Sequence, residues 1–271
     1  MPASNSSLAN RVPESTDPRV LDEMMPYLTE LFGNAASLNH SFGWAAQDAC
    51  DRARDQIAAA IGARSGREVV FTSSHLESDR LAVLGVATAY TDRGQHVLAS
   101  GSECYLRHMR EIAEDNEEIE LGLIPLDQTG VPDFESFRKV ARGNTVLYSL
   151  AIESDTEDLS AHLRTVGQLC RERGVLFHVS TADILIRRHI SVEDAHIDLL
   201  TLDSRKLAGP PGISALYVRA RKPMVRLAPL IDGGGQERGR RSGTLNVAGI
   251  VGLGAACHFC DEAHKLMEGS Q

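Results

Sequence analysis

The chain has 271 residues, enough to bury a substantial core in one large domain, or in one domain with a small appendage. Its 42% hydrophobic and 24% charged residues are typical of a soluble globular protein. The formal net charge of -9 argues against a general attraction to nucleic acid or to an anionic membrane, because both need clustered positive charge. A small anionic ligand is still compatible with this charge, since a few local arginines can hold it.

The N-terminal sequence and the cysteines indicate the cellular compartment of the protein. Residues 1–7 lack the basic start and the apolar stretch of a secretory signal, and no apolar run is long enough to span a bilayer. The cysteines are odd in number and widely scattered, unlike a disulfide framework: Cys50, Cys104, Cys170, Cys257 and Cys260. We therefore expect a protein of the reducing cytoplasm, without a nucleic-acid or membrane partner.

Helical and strand patterns alternate after a polar segment over residues 1–17, which we expect to be a loose arm. Apolar residues at three- and four-residue spacing predict helices, over 18–32, 43–62, 77–92, 104–116, 134–142, 160–173 and 246–266. Short apolar runs predict seven strands between them, over 68–71, 96–99, 121–124, 145–148, 175–179, 199–202 and 215–218.

Several of these runs are apolar throughout, as strands covered by helices on both faces must be. The sequence therefore predicts an α/β fold, a three-layer sandwich with a mainly parallel seven-stranded sheet. In such sheets ligands bind beyond the carboxyl ends of the strands. The turns that follow the strands are thus the first places to look for chemistry.

Lys206 occupies such a turn, in the Gly- and Pro-rich segment 203–212 directly after the strand at 199–202. Partial burial at a strand end lowers the pKa of a lysine and presents a nucleophilic amine, which suits a Schiff base with pyridoxal phosphate (PLP). A solvated loop lysine is the alternative.

Two further segments have the composition of anion sites. Ser74 and Glu77 fit a capping box at a helix start, where free amides suit a phosphate, although capping alone explains the spacing. The segment 232–244 combines flexible glycines, three arginines and two hydroxyl groups, which can grip an anion. A mobile surface loop has a similar composition.

Two other features are weaker candidates. Cys257 and Cys260 have CxxC spacing, but they lie on a predicted helix without a second such motif, so we expect partial core burial and no metal site. His178 lies at the end of a strand, where a packed or solvated histidine is commoner than a catalytic one.

Together these segments resemble the NifS/IscS-type cysteine desulfurases, which belong to the class V aminotransferase group of fold-type-I PLP-dependent proteins. The matching segments run in order from about residue 17 to the chain's end: 32–37, 40–44, 70–73, 77–79, 178–179, Lys206 with 209–210, 215–219 and 233–244. The resemblance implies a PLP-dependent transferase large domain over 18–250, followed by a C-terminal helix end over 251–271. It also implies Lys206 as the Schiff-base lysine.

The resemblance places several cofactor contacts on substituted positions. The family's carboxylate on the pyridine nitrogen corresponds to Ser180, and its stacking histidine corresponds to Cys104. The asparagine beside the phenolic oxygen corresponds to Asp155, and a neighbouring glutamine corresponds to Asp183. Because a serine cannot supply the negative charge that keeps the ring nitrogen protonated, we expect a weakened electron sink.

The implied phosphate cup is altered as well. The family's Gly-Ala-Thr-Glu turn begins with Ser74 and His75 here and loses its threonine hydroxyl. Its Ser-x-His-Lys segment places Asp203 beside the dianionic phosphate, where Arg205 offsets the added negative charge. The family's Arg-Ser-Gly-Thr loop, which ends here at Thr244, reaches across a dimer into the partner's cofactor site.

Two larger family features have no counterpart in the sequence. The N-terminal Ala-Thr-Thr-Pro strand is replaced by residues 12–16. We expect the small C-terminal domain, with the nucleophilic cysteine and the arginine that binds the substrate carboxylate, to be missing after Gln271. None of the five cysteines aligns with that nucleophile.

The functional expectation is a degenerate, catalytically impaired cysteine desulfurase homologue that acts as a binding or regulatory subunit. The alternative is a PLP-dependent enzyme with altered chemistry, or one completed by a partner chain. We expect a homodimer, or a heterodimer with a complete paralogue to which this chain donates Thr244. A sulfur-transfer or iron-sulfur assembly partner would fit the same family.

Overall fold

The structure is a computed structural model that describes residues 15–37, 39–127, 130–152, 158–181 and 191–268. Its helices are α1 (Pro18–Thr29), α2 (Ser41–Ala60), α3 (His75–Ala89), α4 (Glu103–Glu114), α5 (Phe134–Val140), α6 (Leu159–Arg173) and α7 (Val247–Glu268). Its strands are β1 (Val69–Thr72), β2 (His96–Ser100), β3 (Glu120–Leu123), β4 (Thr145–Ile152), β5 (Leu176–Thr181), β6 (Leu199–Asp203) and β7 (Ser214–Val218).

Every helix and strand predicted from the sequence is therefore present, most of them within three residues of the predicted bounds. The largest difference is β4, which continues to Ile152 rather than ending at residue 148. Most of the expected arm lies outside the described residues. Its last residue, Asp17, caps α1 by accepting a hydrogen bond from the backbone N–H of Arg19.

The seven strands form one sheet in the order β1-β7-β6-β5-β4-β2-β3. β7 is antiparallel to both of its neighbours, and the other four pairings are parallel. The prediction of a mainly parallel seven-stranded sheet is confirmed. All residues of β1, β2 and β7 are buried, whereas the edge strand β3 is partly exposed.

Helices cover both faces of the sheet. One core cluster joins the sheet to α3 and α4, and the other joins it to α1, α2, α5, α6 and α7. α2 packs directly along α7, where a Cβ atom on Gly254 would lie 2.7 Å from the Cα atom of Ala53. The three-layer α/β sandwich is therefore confirmed, and no helix in the described part of the chain is long and apolar enough to cross a membrane.

This topology brings the carboxyl ends of six strands to one edge of the sheet. β1 to β6 all run in the same direction, because only β7 is antiparallel to its neighbours among the described strands. α3 begins there after β1, and α4 begins there after β2. The turn that carries Lys206 follows β6 at the same edge.

Candidate functional site

A cavity of about 180 Å³ lies at the carboxyl ends of the strands. It is lined by His75, Leu76, Asp79, Cys104, Tyr105, His108, Ala151, Ile152, Ser180, Asp203 and Lys206. These residues come from α3, α4, β4, β5 and the end of β6, so the sheet edge collects side chains that lie far apart in the sequence.

Five residues singled out in the sequence meet in this cavity: His75, Cys104, Ser180, Asp203 and Lys206. Ser74, Arg205 and Thr244 do not line it. The two remaining positions, Asp155 and Asp183, lie outside the described residues.

A short 3₁₀ turn over Ser204–Leu207 presents Lys206, whose side chain is half-buried. The carboxylate of Asp203 accepts a hydrogen bond from the backbone N–H of Arg205 at 3.1 Å, which caps the start of the turn. At its end, the backbone N–H of Gly209 donates to the carbonyl of Ser204. A Cβ atom at Gly209 would lie 2.4 Å from the Oγ atom of Ser204, so this tight closure requires a glycine.

His75, at the start of α3, contacts Asp203, at the end of β6, in the same cavity as Lys206. The Nδ1 atom of His75 is 3.4 Å from the Oδ2 atom of Asp203. This contact raises the pKa of His75. Burial alone would raise the pKa of Asp203, but the hydrogen bond and charge of His75 hold it below its usual value. His75 is thus a direct partner of Asp203, in addition to the Arg205 expected from the sequence.

Asp79 is the most buried charged side chain of the cavity, at 1% exposed. Its Oδ2 atom accepts a hydrogen bond of 2.9 Å from the hydroxyl of Ser180. Its Oδ1 atom has no hydrogen-bond partner among the residues that the structure describes. Burial raises the pKa of Asp79 to about 6, against the opposing effect of the hydroxyl groups of Thr201 and Ser180.

His178, which lies on β5 behind the cavity, is packed as expected. Its ring nitrogens are 2.5 Å from the Ser149 hydroxyl and 3.0 Å from the Thr201 hydroxyl. Burial lowers the pKa of His178 to about 3, so the ring is neutral. Its Nε2 atom lies 3.6 Å from the Oδ1 atom of Asp79, too far for a hydrogen bond.

α4 forms the opposite wall of the cavity. Cys104 is an exposed free thiol, at the position where the resemblance implies a histidine. Tyr105 is buried and shares a 2.6 Å hydrogen bond with the Ser149 hydroxyl, and burial raises its pKa well above the usual value. The Nε2 atom of His108 is buried without a hydrogen-bond partner in the described part of the chain.

Sequence reasoning gave no role to Asp79, Tyr105 or His108. The sequence did contain a signal for two of them, the four-residue spacing of a helix face. Asp79 lies four residues after His75, and His108 lies four residues after Cys104. Each pair therefore shares one helix face. Without the structure, nothing shows that these two faces enclose one cavity.

The start of α3 is capped rather than open. The hydroxyl of Ser74 accepts a 3.2 Å hydrogen bond from the backbone N–H of Glu77. The Glu77 carboxylate accepts from the backbone N–H of Ser73, one residue earlier than in the usual capping box. Glu77 also accepts a 2.8 Å hydrogen bond from the guanidinium of Arg241. The hydroxyl of Ser74 therefore serves the helix start.

The segment 232–244 is anchored to β1. Buried Glu237 pairs with Arg54 and accepts a 2.8 Å hydrogen bond from the backbone N–H of Phe71. Arg238 donates to the carbonyl of Val69, so protein groups already engage this arginine. Thr244 is exposed, and the segment lies outside the lining of the Lys206 cavity.

The CxxC cysteines lie on α7, as the helical pattern predicts. Cys257 is fully buried and Cys260 is partly buried, which agrees with packing in the core. Burial raises the pKa of both thiols. Within the described ranges, no group of three His, Cys, Asp or Glu residues is arranged to hold a metal ion.

The family model for class-V aminotransferases matches residues 8–268. The chain belongs to the class-V aminotransferase family. It is 41% identical over 254 residues to the cysteine desulfurase IscS of Rickettsia felis, and 42% identical to that of Rickettsia massiliae. Each alignment covers 93% of this chain and 60% of the relative. The chain thus spans about 60% of the length of these curated relatives.

Three solved structures have the same fold. A NifS-like protein matches with a TM-score of 0.82 and 28% identity over 93% of this chain and 68% of its own. SspA in complex with cysteine matches with a TM-score of 0.78 and 31% identity over 90% of this chain and 69% of its own. DndA from Streptomyces lividans matches with a TM-score of 0.75 and 28% identity over 97% of this chain and 74% of its own.

Proposed function

We propose that this class-V aminotransferase homologue holds PLP at Lys206, does not perform cysteine desulfuration on its own, and acts as a binding or regulatory subunit. One observation carries the proposal. A single cavity gathers Lys206 with Cys104, Ser180 and Asp203, three positions where the family resemblance implies other side chains. The place for the cofactor is retained, whereas the groups that would drive the family reaction are changed.

The residues of the cavity fit the ring and aldehyde of PLP. Lys206 supplies an amine, and the buried Oδ1 atom of Asp79 is a hydrogen-bond acceptor without a donor among the described residues. A buried, unsatisfied carboxylate oxygen that lines a cavity is a natural partner for an N–H group. When bound, PLP supplies an electron sink. Lys206 would hold it, and Ser180 would fix the orientation of Asp79.

The impairment follows from Cys104 and Asp203. Ser180 itself carries no charge and its hydroxyl already donates to Asp79, so β5 offers no charged partner of its own to the ring. Cys104 offers a thiol where an imidazole would stack and transfer protons. Asp203 adds a carboxylate beside Lys206, and its contact with His75 and the charge of the nearby Arg205 act against that negative charge.

Association with a second chain is part of the proposal. Six large apolar side chains from α1, the loop that follows it and the start of α2 are exposed: Leu21, Met25, Leu28, Phe32, Phe42 and Trp44. The rings of Phe32 and Phe42 stack with centroids 5.4 Å apart. Clustered exposed apolar surface favours a protein interface. We infer a homodimer, or a heterodimer with a complete paralogue that receives Thr244, working with a sulfur-transfer or iron-sulfur assembly protein.

A second candidate is a PLP-dependent enzyme with altered chemistry, or one completed by a partner chain. The retention of both Lys206 and a buried carboxylate in one cavity favours it. Reactions that need little carbanion stabilisation proceed with a weak electron sink. Turnover of amino acids other than cysteine by the PLP-loaded protein, lost in Lys206→Ala, would select this candidate.

Cofactor binding is tested by titrating the purified protein with PLP, recording visible absorbance, reducing with borohydride and mapping the labelled peptide. We expect the label on Lys206 and its loss in Lys206→Ala. Lys139→Ala, which removes an exposed lysine on α5, is the matched control and should label as the wild type does. A featureless spectrum with excess PLP, or labelling at another lysine, would reject PLP binding at Lys206.

A further inference from the structure

The buried carboxylate of Asp79 destabilises the ligand-free fold. It is almost completely buried on α3, and one of its two oxygen atoms has no hydrogen-bond partner within the described chain. A buried polar atom without a partner destabilises a fold, and does so more strongly when the group is charged. Such groups are rare in folded proteins unless a ligand, an ion or a water completes them.

The neighbours of Asp79 leave its Oδ1 atom available. The hydroxyl of Ser180 donates to the other oxygen atom. His178 is the nearest ring, but its nitrogens are engaged by Ser149 and Thr201, and its Nε2 atom is 3.6 Å from Oδ1. The hydroxyl of Thr201 lowers the pKa of Asp79, but it lies 3.0 Å from the His178 ring and makes no hydrogen bond to Oδ1. His75 and Asp203, whose charges also act on Asp79, contact each other. An N–H donor on a ligand would therefore complete this carboxylate.

The position of Asp79 indicates which ligand group donates this hydrogen bond. Ser180, the residue that fixes Asp79, lies on β5 at the position where the resemblance implies a carboxylate for the pyridine nitrogen. The acid is absent from the strand, but another acid touches the same side chain from α3. We propose that Asp79 accepts the hydrogen bond of the protonated PLP ring nitrogen, with Ser180 as its positioning residue. The inference rests on the cofactor part of the proposed function.

This arrangement gives the cavity a way to distinguish cofactors. A carboxylate favours a ring that carries N–H⁺ over an equally large ring that carries C–H, because only the first satisfies its lone pair. A hydrogen bond involving charged groups corresponds to a preference of about 10-fold to 100-fold in dissociation constant. The preference is independent of turnover, so it can be measured on a protein that catalyses nothing.

The test compares PLP with its carbocyclic analogue, in which C–H replaces the ring nitrogen. Dissociation constants for both are measured by absorbance or fluorescence titration of the wild type and of Asp79→Asn. We expect the wild type to prefer PLP by about 10-fold to 100-fold and Asp79→Asn to lose most of that preference. Ser180→Ala should weaken the preference in part. Asp115→Asn, an exposed acid paired with Arg80, should retain it.

The outcomes separate this inference from the proposed function. If both cofactors bind at Lys206 but Asp79→Asn keeps the full wild-type preference, the ring-nitrogen role of Asp79 is wrong and PLP binding stands. If neither cofactor binds the wild type, both fail. Should Asp79→Asn not fold, the chemical shift of ¹⁵N-labelled PLP on the wild type decides: a protonated ring nitrogen at neutral pH supports the inference, and an unprotonated one overturns it.

Discussion

Replacing Asp79 with asparagine should change how the stability of the protein depends on pH. Burial raises the pKa of Asp79 from 3.8 to about 6, so the folded chain retains a proton that the unfolded chain has already released. The stabilising contribution of this group is therefore complete below pH 3.8 and is lost as the pH rises through about 6. The side-chain amide of the Asp79→Asn variant cannot titrate, so the variant lacks this dependence.

The size of the effect follows from the pKa shift. One proton bound only in the folded state changes the free energy of unfolding by about 1.4 kcal/mol per pH unit. Between about pH 4.5 and the folded pKa near 6, the wild type should lose about 2 kcal/mol relative to Asp79→Asn. Above that pKa the difference between the two proteins should become constant.

Urea titrations at about pH 4.5 and pH 7, without added PLP, measure this difference directly. We expect the free energy of unfolding of the wild type, minus that of Asp79→Asn, to fall by about 2 kcal/mol between the two pH values. The same difference for Asp115→Asn, an exposed acid on the protein surface, should stay nearly flat. An equally flat difference for Asp79→Asn would refute the reasoning about its buried carboxylate.

Three further changes test the fold and its surface. Glu237→Gln should lower the free energy of unfolding by about 3 to 5 kcal/mol in urea titration, because it removes the buried charge partner of Arg54 and leaves its guanidinium with only the exposed Asp51 at 3.6 Å as a charge partner among the described residues. Gly209→Ala should cost about 1 to 3 kcal/mol in the same assay, since the new Cβ atom would lie 2.4 Å from the Oγ atom of Ser204; an unchanged midpoint would contradict this. Phe32→Ser should shift sedimentation toward the monomer, whereas an unaltered profile would exclude this surface as the interface.

The fold was predictable because its signals are local. The run at 199–202 is apolar throughout and is followed by a turn with Gly and Pro, and it forms β6 with Lys206 in the following 3₁₀ turn. Four residues of β4 were missed, because Ser149 interrupts the apolar pattern. In the fold Ser149 is buried, and its hydroxyl is satisfied by Tyr105 and His178. Ser149 is therefore a polar residue with hydrogen-bond partners inside the fold, and it does not mark the end of β4.

The site was predictable only in part. The family resemblance placed Lys206 and its substituted neighbours around one cofactor position, and five of these residues line one cavity in the structure. The interactions that determine the charge of the cavity join segments that are distant in the sequence. Asp79 and Ser180 are 101 residues apart, and the spacing of residues within one helix or strand carries no information about such a pair.

Sulfide release from L-cysteine by the PLP-loaded chain tests the central proposal most directly. We predict no sulfide above the background of free PLP, because Cys104 and Asp203 replace the groups that would transfer protons and hold the cofactor beside Lys206. Sulfide release that exceeds this background and disappears in Lys206→Ala would contradict the proposal and establish the chain as an active desulfurase.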